Sequence, residues 1–180
     1  MIDKSPAGLI DSLCRRFESV LTSFWPLPGE QEFKDSEPRP PFVHAQYLPI
    51  SSTANAERNP TKDYPIVVVE CVKGKVSDFD PARMGSEITI RIHFGGYSED
   101  TDNQGWSIPT NMMWRVMQDL CSRKMQGGYI IDTDMDWISI NSREPPYYTA
   151  MLETVWRGSP PAVEAVSDGV IANDRAGTLG

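Results

Sequence analysis

The amino-acid sequence predicts an α+β domain, a mainly antiparallel sheet of four to five strands flanked by two helices. Three observations predict it. The stretch from Ser86 to Leu120 changes hydrophobic period once: Ile88, Ile90, Ile92 and Phe94 alternate with Glu87, Thr89, Arg91 and His93, and beyond Gly95-Gly96 Met113, Val116, Met117, Leu120 and Cys121 recur at helical spacing. A half-buried strand therefore feeds an amphipathic helix. Near the N-terminus Leu9, Ile10, Leu13, Cys14, Phe17, Val20, Leu21 and Phe24 repeat the helical pattern. Between the two, Pro65 to Val72 reads PIVVVECV, a β-branched run of the kind found in a central strand covered on both faces. None of these elements buries its apolar side alone, so they must share one core.

In chain order, Ser5-Pro6 reads as an N-cap and a first-turn proline, and Pro26 stops the helix that follows. Pro26 to Pro41 is proline-rich and polar, a surface connection. Phe42 to Leu48 is a short strand candidate, followed by a polar excursion over residues 49–63. After PIVVVECV, residues 73–85 carry charges, Asp80-Pro81 and glycines, and read as a loop into the alternating strand. Gly127-Gly128 reads as the end of the second helix. Trp137 to Asn141 and Tyr148 to Arg157 are the last strand candidates, with Glu144-Pro145-Pro146 where a hairpin connection belongs. Residues 1–158 thus form one domain, with 159–180 as an extended tail outside its core.

Composition narrows the function. The 39% hydrophobic and 23% charged content is that of a soluble globular chain, and no apolar run reaches the length of a membrane span. The first residues lack a signal peptide's apolar core, so a cytosolic origin is expected. A net charge of −8 argues against simple adhesion to nucleic acid or an anionic membrane. Cys14, Cys71 and Cys121 are an odd, widely spaced set inside apolar patterns, read as buried free thiols.

Motifs for chemistry mostly fail. Asp132, Asp134 and Asp136 begin a calcium-loop pattern, but Trp137 and Arg143 stand where glycine and a bidentate glutamate are needed, leaving an acidic turn before a strand. Gly74-Lys75 lacks the first glycine and the Ser or Thr of a phosphate loop. His44 and His93 have no Cys, Asp or Glu at ligand spacing, so no metal or other cofactor is expected. Glu99, Asp100 and Asp102 could pair for acid-base work, yet in a loop they read as solvated surface. No catalytic residue is expected.

An ordered set of segments resembles the tail terminator, or tail completion, proteins of long-tailed bacteriophages, in their lambda-type fold. The set is FVHAQYLP, YPIVVVECVKGKV, EITIRIHFGGYSEDTDNQGW, MMWRVMQDL, GGYIID, WISI and PPYYTAMLETVWRGSPP, covering roughly Phe42 to Pro160. The excursion at 49–63, the loop at 73–85, Pro109 early in the helix and the tail after Ser159 depart from the family's pattern. The resemblance implies a structural virion protein and no enzyme. It implies a homohexameric ring at the neck, capping the head-proximal end of the tail tube and meeting the tube protein and a head connector or stopper. DNA would pass through its lumen without specific binding, and assembly would take place in the host cytoplasm. Another neck ring component and, less well supported, an acidic DNA mimic are the alternatives.

Under this reading the acidic loop, with Glu99, Asp100 and Asp102, faces the lumen or an adjoining ring. Val163, Val166, Val170 and Ile171 are too few to anchor the tail to its own domain and are expected to bury against another chain. Five tryptophans and eight methionines supply interface-type side chains, although Trp114, Trp137 and Met117 are expected to pack in the core.

Overall fold

Ser5 starts the first helix as its sequence dictates. Its hydroxyl accepts a hydrogen bond from the Gly8 amide at 3.1 Å, satisfying one of the donors that a helix start leaves unpaired. The computed structural model describes residues 5–23, 40–47, 64–77, 85–98, 104–140 and 146–158. Helix α1 (Pro6–Ser23) buries Leu9, Ile10, Leu13, Phe17, Val20 and Leu21 along one stripe. The stripe matches the predicted one, with Arg16 as an unpredicted member.

The sheet has six strands in the order β1-β2-β3-β6-β5-β4. They are β1 (Phe42–Ala45), β2 (Ile66–Ser77), β3 (Gly85–Tyr97), β4 (Met125–Gln126), β5 (Tyr129–Ile140) and β6 (Tyr147–Gly158). Strand β1 runs parallel to β2, and every other neighbouring pair is antiparallel. The sheet is therefore mixed, and it exceeds the expected four to five strands because Met125–Gln126 adds β4. Gly127 and Gly128, at φ 57° and 85°, form the two-residue turn from β4 to β5. Only a residue without Cβ takes such angles at little cost, so the pair serves a hairpin and not the helix end assigned to it. Helix α2 (Ser107–Ser122) ends earlier.

Other boundaries also differ. Strand β2 runs on through Ser77 and β3 begins at Gly85, so much of the loop expected at 73–85 is a paired ladder, from Lys73↔Thr89 to Ser77↔Gly85. Strand β5 starts at Tyr129 instead of Trp137, because Asp132 to Asp136 mask its apolar alternation. Strand β2 is second from one end of the sheet, and only Val67 and Val69 of its apolar run are fully covered. Its β-branched composition reflects the pleated surface and not a cover on both faces.

Both helices lie on one face of the sheet, packed against each other, α1 over β1 and β2 and α2 over β3 and β6. The core between them holds Val67, Val69, Ile88, Ile90, Ile92, Phe94, Ala150, Leu152 and Trp156 from the sheet. Burying each of the larger side chains stabilises the fold by roughly 1.5–3 kcal/mol. Gly96 lets the start of α2 settle on β3, since a Cβ there would come within 2.9 Å of Pro109 and 3.0 Å of Ile108. Pro109 sits in the first turn, where its missing N–H breaks no helical bond.

Candidate functional site

The face of the sheet opposite the helices carries the polar half of each alternating strand. Cross-strand register sets Glu70, Arg91, Glu153 and Asp136 in one row, and Val68, His93, Met151 and Ile138 in the next. Arg91 donates to Glu153 Oε2 from Nη2 at 2.9 Å and from Nε at 3.2 Å. His93 Nε2 lies 3.2 Å from Glu70 Oε2. Sequence spacing offered His93 no carboxylate; pairing of β2 with β3 supplies one from 23 residues away. These partly exposed pairs add little stability and order the face. Among the described residues no group of three or more His, Cys, Asp or Glu could hold a metal ion.

The margin formed by β5 and α2 is different in kind. Trp106 and Trp114 beside α2 and Trp137 on the helix side of β5 are about half exposed, as are Ile138 and Ile140 on the opposite face of the same strand, from 46% to 53%. The expected core packing of Trp114 and Trp137 is therefore overturned, while Met117 does pack against the core. The cause is the position of α2. It lies over β3 and β6 and reaches β5 near Thr110, whose hydroxyl is 3.4 Å from that of Ser139. Trp114 follows Thr110 by one helical turn and Trp137 precedes Ser139 by two strand residues, so both indoles open along the same margin.

The acids of β5 sit on this margin too. Asp132, Asp134 and Asp136 lie within the strand, the first two at a register shift between Ile131 and Met135, and not in the turn expected before it. Asp132 bonds Arg157 Nη2 at 2.8 Å and accepts from the Thr133 amide at 2.9 Å. Asp134 and Asp136 are exposed and make no ion pair among the described residues.

A second unpredicted feature holds the helices together. Arg16, 7% exposed, reaches Asp119 Oδ2 from Nε at 2.5 Å, and its Nη2 donates to the carbonyls of Asp119 at 2.9 Å and Arg123 at 2.7 Å. A guanidinium thus satisfies carbonyls at the C-terminal end of α2, where cations are favoured. Sequence spacing does not single Arg16 out, and only the helix-helix contact reveals its role.

The thiols are free, but not buried as expected: Cys14 and Cys71 are half-buried and Cys121 is exposed. Burial, helped by Asp11 and Glu18, pushes the Cys14 thiol up to about 11, and burial followed by Glu70 raises that of Cys71. Neither is poised as a nucleophile.

The residues singled out for the lumen and the interface, Glu99, Asp100, Asp102, Val163, Val166, Val170 and Ile171, lie outside the described residues. A search against protein-family models finds no match to the chain, and a search of curated proteins finds none either.

Proposed function

We propose that this chain is a structural component of a phage neck, a tail terminator of lambda type that closes into a homomeric ring, most simply of six copies. The ring caps the head-proximal end of the tail tube and presents a surface to the head connector or stopper, while DNA passes through its lumen without specific binding. Two lines support the reading: the resemblance of the ordered segments from Phe42 to Pro160, and the β5 margin. The margin carries the greater weight. Trp106, Trp114, Trp137, Ile138 and Ile140 give it the aromatic and aliphatic composition of a protein interface, not of a solvated edge.

Such work asks for surfaces and no reacting group. Cys71→Ala and His93→Ala should therefore each leave tail completion intact in a folded protein. Electron microscopy of the purified protein with and without tail tubes tests the reading. Rings at one end of length-limited tubes are expected; monomers, or tubes that keep growing in its presence, overturn it.

A further inference from the structure

The two ends of the sheet differ in outline. At one end β1 covers β2 only from Ile66 to Val69, which leaves the outer side of β2 from Glu70 onward without a described strand. At the other end β4 covers β5 only at Tyr129 and Ile130, and Ile131 donates to the Lys124 carbonyl at 2.9 Å. From Asp132 to Ile140 no described strand lies outside β5. Among the described residues each end is therefore a step, one short strand standing out beside a recess. An open edge of this kind is a template for pairing with another chain.

We propose that copies of this chain join edge to edge, the outer side of β1 in one copy lying antiparallel against the outer side of β5 in the next. The inference deepens the ring reading and rests on it for closure. Strand directions favour it. Strand β1 is parallel to β2, and three antiparallel steps then lead through β3 and β6 to β5, so β1 and β5 run oppositely. Copies related by rotation about an axis along the strands keep their directions, which sets β5 of one antiparallel to β1 of the next. Such a contact joins two different patches, and a closed ring is the finite assembly that it allows.

Height along the strands favours it as well. Register carries Phe42 through Ile66, Gly95 and Thr149 to Ile140, and Ala45 through Val69, Ile92 and Leu152 to Trp137. The protruding β1 thus stands level with the open part of β5. The same chain of pairs puts β4 level with Lys75 and Val76, where β2 is recessed. Each protrusion meets the other end's recess. At this height Phe42, 48% exposed, comes beside Ile140, and the small Ala45 comes beside Trp137.

Charge is complementary too. Lys73 and Lys75 line the recessed edge of β2, and neither has an ion-pair partner among the described residues. Asp134 and Asp136 make no ion pair among the described residues at the opposite end of the sheet. Lys73 is level, through Thr89 and Val155, with the Asp132 to Asp134 segment. These charges face one another only between copies. The pairing would bring opposite signs to a contact whose centre is apolar.

The test uses two full-length variants, Phe42→Asp to block the β1 edge and Ile138→Asp to block the β5 edge, both at exposed positions. In mass photometry the wild type should form closed oligomers and each variant alone should remain monomeric. An equimolar mixture of the variants should give one-to-one dimers and nothing larger, since a single intact β1 meets a single intact β5. Either variant assembling like the wild type overturns the pairing and leaves the ring reading standing, as does a mixture without dimers. A wild type that stays monomeric in solution and on tail tubes overturns the ring reading itself. Should a variant unfold, His44→Cys combined with Ile138→Cys reads the same contact on a non-reducing gel. Within one copy the two positions are four strand spacings apart, about 19 Å, too far for a disulfide. A ladder of linked multimers supports the pairing, and its absence, against the single-cysteine controls, overturns it.

Discussion

Strands β3 and β5 alternate apolar residues in much the same way and meet opposite fates. On β3, Ile88, Ile90, Ile92 and Phe94 are all at most 2% exposed, under α1 and α2. On β5, Trp137 lies on the helix side where α2 only partly covers it, Ile138 and Ile140 lie on the opposite face, and all three are about half exposed. Alternation says which residues share a face; it does not say what covers that face. The covered centre is completed within the chain, whereas among the described residues nothing fully covers the β5 margin. The same substitution should therefore act on stability at one place and on assembly at the other.

The largest effect is expected at Trp156, which is fully buried and whose indole donates to Thr154 Oγ1 at 3.0 Å. Thr154 in turn donates to the Ile90 carbonyl at 3.2 Å, so the indole also fixes a buried polar contact. Trp156→Ala should cost about 3–5 kcal/mol in urea unfolding, through the cavity and the lost partner. Trp137→Ala, at a half-exposed site, should cost under about 1 kcal/mol and yet abolish assembly. Equal losses of stability would erase the distinction between the two regions.

Arg16→Ala comes next. It removes the guanidinium from Asp119 Oδ2 and from the carbonyls of Asp119 and Arg123, while Asp119 keeps its ion pair with Arg123 and its carbonyl keeps the Arg123 amide and Ser122 hydroxyl, so a cost of about 1–3 kcal/mol is expected. A urea midpoint close to that of the wild type would show that water serves these groups equally well. Gly96→Ala follows, at about 1–3 kcal/mol, because its Cβ would press on Pro109 and Ile108 where the helical cover touches the sheet. A neutral result would mean that the start of α2 can lift off β3.

The covered half of the molecule was the legible half. The cap at Ser5, the stripe of α1 and the alternation of β3 follow from local periods, and the structure keeps them. What escaped the sequence depends on contacts between distant segments. No local pattern marks Arg16 until α2 is beside it, and His93 reads as solitary until β2 pairs with β3. Asp132, Asp134 and Asp136 hid the first half of β5, since acids depress strand propensity without forbidding an edge strand. The Gly127-Gly128 pair carried a usable signal, because two glycines between short apolar segments mark a two-residue hairpin as readily as a helix end.

The smallest expected effect compares two thiols on these regions. Cys14 packs against the core from α1, while Cys121 lies exposed on α2. Alkylation needs the thiolate, and burial holds the Cys14 thiol at about 11 against an ordinary 9.0. At pH 8 iodoacetamide should therefore label Cys121 first and Cys14 slowly, as read by peptide mass spectrometry. The same shift links to stability. Below pH 9 the folded and unfolded chains both keep this proton, so the contribution is fully present; above it the unfolded chain ionises first, and stability falls until the folded thiol also ionises near 11. A Cys14→Ala variant lacks this term, so its urea midpoint should decline less steeply than the wild type's between pH 9 and 11. Parallel declines, with equal labelling of the two cysteines at pH 8, would place Cys14 in water and not against the core.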